Sequence, residues 1–238
     1  MSFRRIVCLC GCPALLAVWA LGAQAPAQSS PPSSTSTSSS ASSSKPVGKT
    51  GPSAGSPFDS GSVSNGVYRN NALGFSCKIP EGWVLRTEEM NVRDDEDKKA
   101  NGGKTATDDA KAGRVLLAAF SRPPQARAED VNSSILIAAE KVAAYPGLKE
   151  AAQYFGPLTE VAKLQGFAVV NEPYEFLAGA KTVVRGEFQK DVGTRVLRQS
   201  TLVILVRGYA VSFTFLGGTE DEVEELIQGL SFVTTRAK

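Results

Sequence analysis

Gly66-Val-Tyr-Arg-Asn-Asn-Ala-Leu-Gly-Phe-Ser-Cys-Lys-Ile-Pro-Glu-Gly-Trp83 is the stretch on which the reading of this chain turns. Val67–Arg69 spells a short strand. Asn70-Asn71-Ala-Leu-Gly74 has turn chemistry, because Asn and Gly accept positive φ, and Asn71 and Gly74 are expected to make the turn. Phe75, Cys77 and Ile79 then alternate with Ser76 and Lys78, the period of a strand buried on one face. Pro80 and Gly82 end it, and Trp83 is placed to cap the edge of a core. The stretch marks the start of a folded domain and carries no chemistry of its own.

Upstream the chain changes character. Arg4 and Arg5 precede an apolar run from Ile6 to about Leu21, followed by small residues around Ala23, Ala25 and Ala27. That is the layout of a secretory signal peptide over residues 1–27. Ala23-Gln24-Ala25 fits the small-x-small rule but puts Pro26 directly after the cut, and breaks after Ala23 or Ala27 are the alternatives. The apolar run is also close to the roughly 18 residues of a spanning candidate, so an uncleaved anchor is the alternative. Residues 28–65 are dominated by Ser, Thr, Pro, Gly and Ala, with too little apolar surface to offset the entropy of ordering, and read as a flexible tether. Residues 66–238 are one domain's length of chain.

Composition limits what that domain can do. The chain has no histidine, which removes the commonest general base and metal ligand. Of its four cysteines, Cys8, Cys10 and Cys12 lie in the leader, leaving Cys77 alone in the domain. One thiol closes no disulfide and builds no cysteine-rich zinc site. From Gly66 onward there are 22 basic against 23 acidic residues, so no basic field argues for nucleic acid. No metal or cofactor is expected.

Along the domain, a charged segment from Thr87 to about Gly113 reads as a long loop. Arg114–Arg122 and Ser134–Ala139 read as buried strands. Leu148, Ala151, Ala152 and Phe155 recur at helical spacing, and Gly156-Pro157 predicts a kink or a new helix start. Strand signals follow at Phe167–Val170, Tyr174–Leu177, Thr182–Phe188, Val196–Val206 and Tyr209–Leu216, the last two joined by an Arg207-Gly208 hairpin turn. Thr219 and Glu222 form a capping box for a final helix with Val223, Leu226, Ile227 and Leu230 as its apolar stripe. Strands in series with helices at two places make an α+β domain, a largely antiparallel sheet covered by helices.

The opening Tyr68-Arg-Asn70, the run Gly74-Phe-Ser-Cys-Lys-Ile-Pro-Glu-Gly-Trp83, the late Tyr209-Ala-Val-Ser-Phe-Thr-Phe215 strand, the capped acidic helix and the terminal Leu230-Ser-Phe232 together resemble the PsbP-like domains and the related DcrB-like bacterial envelope domains. The resemblance runs from Val67 to Val233. It implies an α/β/α sandwich around a central antiparallel sheet, a location outside the cytoplasm and a binding or accessory role rather than an enzymatic one. No functional residue of those families forms a motif that can be placed on this sequence.

Candidate chemistry is thin. Gly51-Pro-Ser-Ala-Gly55 has the lettering of a nucleophile elbow, but it lies in the tether without strand, helix or histidine. Ser42 and Lys45 fail as a dyad for the same reason of context. Gly102-Gly-Lys-Thr105 lacks the leading Gly and strand of a phosphate loop. Asp94–Asp97 lacks the alternation of a calcium loop and reads as a solvated acidic run. Cys77 on the inward face reads as packing. Asn132-Ser133-Ser134 is a glycosylation sequon.

A surface for a partner is the remaining expectation, built from Arg185, Arg198 and Arg207 on neighbouring strands with Trp83 and Tyr174. Arg185 and Arg198 share a sheet face and would form a cationic patch. The plainer reading is a solvated face with cross-strand pairs to Glu187 or Glu175. The partner is expected to be a protein or other envelope component, with the membrane touched through the N-terminal segment if that segment is not cleaved.

Overall fold

The structure, a computed structural model, describes residues 59–92, 113–123 and 131–233. The leader, the tether to residue 58 and the runs around Asp94–Asp97 and Gly102–Thr105 lie outside the described residues.

The opening stretch folds into a meander of its own. β1 (Ser62–Ser64), β2 (Val67–Asn70) and β3 (Phe75–Lys78) pair antiparallel in that order, and β11 (Leu230–Phe232) returns from the end of the domain to pair with β3. Ordered structure therefore begins before Gly66. The Tyr68 hydroxyl donates to the Ser60 carbonyl at 2.7 Å, and Asn65-Gly66, with φ of 50° and 69°, makes the two-residue turn favoured between strands. The next turn is closed by a residue other than the one expected. Asn70, fully buried, accepts from the Leu73 amide at 2.8 Å through Oδ1. Its Nδ2 donates to the Asp59 carbonyl at 2.9 Å. Asn70 thus replaces Asn71 as the turn-forming side chain, working with Gly74 at φ 74°. Phe75 and Cys77 point inward as the alternation predicts.

The main sheet has seven strands in the order β4-β5-β6-β10-β9-β8-β7, each pair antiparallel. They are β4 (Val84–Leu85), β5 (Arg114–Phe120), β6 (Ser134–Lys141), β7 (Ala168–Ala178), β8 (Lys181–Val192), β9 (Arg195–Val206) and β10 (Tyr209–Gly217). β7 to β10 form a hairpin ladder. Arg207-Gly208, at φ 50° and 79°, turns β9 into β10 as its sequence requires. The two strand signals on either side of Pro173 are one strand, β7, whose register shifts between Val169 and Tyr174. β5 and β6 are buried along nearly their whole length, on both faces.

Helices cover one face. A short 3-10 turn (Ala151–Tyr154) leads into α2 (Phe155–Leu164), so Gly156-Pro157 sits in the first turn of a new helix, where a missing N–H costs nothing. Tyr154, Phe155, Leu158, Val161 and Ala162 pack on Phe188 and Val203. The segment expected as a loop after Thr87 is helical from residue 87 to residue 92, here α1, because its charged residues flank an apolar anchor. Met90 is 3% exposed and packs on Val115, Ala118 and Leu136. On the other face lie α3 (Glu220–Gln228) and the small sheet. Phe213 stacks edge-on with Phe75 at 4.8 Å and with Phe232 at 5.7 Å between centroids. The result is an α+β three-layer arrangement, with the opening strands in an outer layer beside α3 rather than in the central sheet. Thr219 caps α3 by accepting from the Glu222 amide, but Glu222 does not reciprocate. Its Oε2 accepts from Gly218 N at 2.8 Å and its other oxygen from Ser133, which ties α3 to the start of β6.

Candidate functional site

The two long edges of the main sheet are finished differently. On the β5 side, β4 pairs with Phe120 and Ala119. Arg86 N then donates to the Ala118 carbonyl at 2.8 Å, Thr87 Oγ1 accepts from Ala118 N at 2.9 Å, and Asn91 binds both the N–H and the C=O of Val115. Thr87 and Asn91 are one helical turn apart on α1, so their side chains line up along the strand and take the place of a neighbour. The opposite edge is β7. Among the described residues no backbone or side-chain group pairs with its outer side.

β7 is eleven residues long. An edge of that length would ordinarily be shortened, bulged or covered. Here Pro173 and the shifted register interrupt its first half. From Tyr174 to Ala178 the pairing with β8 is regular, Tyr174 opposite Arg185 and Ala178 opposite Lys181. Val170 is 46% and Leu177 66% exposed. Glu172 and Glu175 are exposed, and neither makes a salt bridge among the described residues.

Under this edge lies a charged cluster. Arg185 is 4% exposed, so it is no surface cation. Its Nη2 donates to Glu224 of α3 and forms an ion pair with Glu187 at 2.7 Å, and its guanidinium sits 4.8 Å from the centre of the Phe176 ring. Burial works against the charge, but the hydrogen bond and charge of Glu224, with Glu187 behind it, outweigh that and raise the Arg185 pKa. The Tyr174 hydroxyl donates to Glu187 at 2.9 Å and Asn171 Nδ2 donates to the other oxygen. Burial first, then that bond to a carboxylate, pushes Tyr174 up to about 12. The expected cationic patch is thereby corrected: two carboxylates neutralise Arg185, and the cluster carries one net negative charge. The pair with Glu187 is made. Glu175 stands opposite Val184 and faces away from Arg185. Glu224 went unforeseen, because its partner is set by the docking of α3 and not by spacing along the chain.

The other expected residues scatter. Arg198 shares the Arg185 face but is half-buried beside Arg195 and the start of α3, lining an open groove with Thr219 and Glu222. Arg207 is exposed in the β9–β10 turn. Trp83, half-buried, precedes β4 at the far edge of the sheet. Of the five, Tyr174 and Arg185 are brought together.

Several polar groups inside the domain are tied up in its own packing, while the buried Arg185 Nε and Ser200 Oγ have no hydrogen-bond partner among the described residues. Glu140 is 3% exposed and accepts from Tyr145. Tyr154 stacks edge-on against Tyr145, and burial together with the Glu140 charge raises both hydroxyls well above their ordinary pKa. The neighbouring cavity, lined by Glu140, Gln199, Thr201 and Ser212, has about 20 Å³, room for one water. Cys77 is fully buried, and desolvation pushes its thiol up to about 12, which leaves it unreactive. Asn132 of the sequon binds Ser121 and the Arg122 amide through Oδ1. Among the described residues no group of three acidic, cysteine or histidine side chains is placed to hold a metal ion. No helix among them is long and apolar enough to cross a membrane.

No family model and no curated protein matches the chain. Solved structures do. The chain is similar to the cyanobacterial PsbP of Synechocystis sp. PCC 6803, at 16% identity over 74% of this chain and 98% of that one, with a TM-score of 0.40. It is similar to LpqN of Mycobacterium tuberculosis, a protein involved in cell envelope biogenesis, at 12% identity over 67% and 83% with a TM-score of 0.36. It is also similar to the Ran-binding protein Mog1p of Saccharomyces cerevisiae, at 14% identity over 68% and 92% with a TM-score of 0.34. One of the three, the cyanobacterial PsbP, is itself of the kind that the opening motif resembles.

Proposed function

We propose that this chain is a non-enzymatic binding domain that works outside the cytoplasm and engages a protein or envelope component through the β7 edge. The observation that carries this reading is the contrast between the two sheet edges. Side chains of α1 finish the β5 edge, while among the described residues nothing pairs with the outer side of β7, where Val170, Tyr174 and Leu177 are exposed. Exposed apolar residues grouped on one open strand are a feature of interaction surfaces. The leader pattern and the Ser-rich run after it support export. The absence of histidine from the sequence and the sealed thiol support a role without catalysis.

The length of the apolar run in the leader favours a second reading, a membrane-tethered envelope assembly or secretion-associated protein that keeps its N-terminal segment. Mass spectrometry of the isolated protein separates the two, since a mature N-terminus near Gln24 or Gln28 excludes the anchor. The binding reading is tested by capture from the envelope fraction of the producing cell, with the full chain and its Leu177→Lys variant as baits. A component retained by the first and lost by the second supports it. Equal retention on both baits contradicts it.

A further inference from the structure

We infer that β7 binds by strand addition, accepting an extended segment of a partner whose side chains alternate apolar and basic. The inference rests on the β7 edge being the binding surface, and it names the mode of recognition and the chemistry of the segment.

The backbone supplies the mode. In an antiparallel edge strand every second residue turns both its N–H and its C=O away from the sheet. These groups are a template for another strand. From Tyr174 to Ala178 the ladder with β8 is regular, so the outward groups are evenly spaced. Pro173, which has no N–H, and the shifted register before it set one limit of the template. The β7–β8 turn at Gly179 sets the other. β11 packs close to β7 but pairs with β3, and among the described residues β8 is the strand that pairs with β7.

The side chains supply the chemistry. Leu177 projects on one face of the sheet and Tyr174 with Phe176 on the other, which gives an added strand apolar neighbours on both sides. Glu172 and Glu175 are the charged residues of the strand, and the cluster beneath adds Glu187 and Glu224 against the single cation Arg185. Lys181, exposed opposite Ala178 at the end of the strand, adds a second cation, so four carboxylates stand against two cations and the field at this edge is negative. A second copy pairing through the same strand would bring like carboxylates together, and an acidic segment or an anionic lipid surface would be repelled. A segment with Lys or Arg at alternate positions meets Glu175 without that penalty, and Glu172, just beyond Pro173, adds to the same field.

The probe is a synthetic peptide of about nine residues alternating Val and Lys, a typical strand length. Its controls are the Val–Glu counterpart and an analogue N-methylated at alternate residues, which removes the donors on one edge. Each is added to the full chain, and hydrogen exchange is read by segment. The expected result is saturable binding of the Lys peptide with slowed exchange confined to 174–178. Binding should weaken about tenfold or more on N-methylation, since each lost backbone bond counts separately. In the Glu172→Lys/Glu175→Lys variant, with its melting temperature unchanged, binding should fall several-fold, by about fivefold.

No binding, equal binding of the Glu or N-methylated peptide, protection elsewhere such as at Arg195 and Arg198, self-association through β7, or attachment to anionic phospholipid vesicles would each overturn the inference. If the peptide fails while capture from the envelope fraction still depends on Leu177, strand addition is wrong and the binding surface stands. If capture is indifferent to Leu177, the surface itself is wrong.

Discussion

Gly186 tests how α2 seats on the sheet. It lies mid-strand on β8, and a Cβ built there would stand 2.5 Å from Cε1 and 2.8 Å from Cδ1 of Phe155. Phe155 is 2% exposed, at the first residue of α2, with Tyr154 before it and Leu158 one turn on, so its ring is held on several sides. Two effects oppose each other in Gly186→Ala. Removing a glycine from a strand restricts the unfolded chain and favours the fold by about 0.5–1 kcal/mol. Forcing a methyl group into a packed ring costs about 1–3 kcal/mol. The clash wins, because contacts under 3 Å with a rigid aromatic cannot relax by moving a flexible tip. The variant should lose about 1–2 kcal/mol in urea unfolding followed by circular dichroism, a drop in melting temperature of about 2–8 °C for a domain of this size. Phe155→Leu opens the space, so the double variant should recover part of the loss, with a coupling of about 1 kcal/mol or more. A neutral or stabilising Gly186→Ala, or strict additivity with Phe155→Leu, would refute the packing of α2 described above.

Asn70→Ala strands the buried Leu73 amide and breaks the bond to Asp59, and should cost about 2–3 kcal/mol by the same assay, whereas Asn71→Ala should stay within about 0.5 kcal/mol. Arg185→Ala leaves Glu187 and Glu224 without their common cation. A buried pair broken in this way costs about 3–5 kcal/mol, but water reaches both carboxylates here, so a loss of about 2 kcal/mol is expected, and Glu224→Gln should cost less than half as much. Burial raises the Cys77 thiol from 9.0 to about 12 and the Tyr68 hydroxyl from 10.0 to about 12. Both groups bind protons more tightly folded than unfolded. Their contribution is therefore fully present below pH 9.0 and is lost as the pH climbs towards about 12, and unfolding titrations of Cys77→Ala should show a shallower alkaline decline. Native Cys77 should also react with a thiol reagent only at the rate of domain opening, which reaction rates with and without urea will show.

The sequence was most legible where side-chain period and turn chemistry act locally. The alternation of Phe75 and Cys77, the Arg207-Gly208 turn and the Thr219 cap are each decided within a few residues, and each is found. It was least legible where position is set by distant docking. The opening strands read as part of the central sheet's domain, yet Phe75 meets Phe213 from a separate layer, a contact spanning most of the chain. The helical turn after Thr87 was hidden by its charge. Its purpose shows once Thr87 and Asn91 are seen against the backbone of β5. Arg185 and Arg198 do share a face, as the strand period requires, but the period says nothing of Glu224 arriving from α3 to neutralise one of them. The openness of β7 was likewise beyond reach, because an edge is a property of sheet order and not of any strand's residues.

Binding through the β7 edge is open to site-directed photo-cross-linking in the producing cell, with a benzoylphenylalanine placed at Leu177 on β7 or, for comparison, at Leu85 on β4. Both side chains are exposed, at 66% and 46%, so replacement perturbs neither core. A discrete adduct is expected from position 177 and none from position 85. Adducts of equal yield from both edges, or from position 85 alone, would contradict binding through β7.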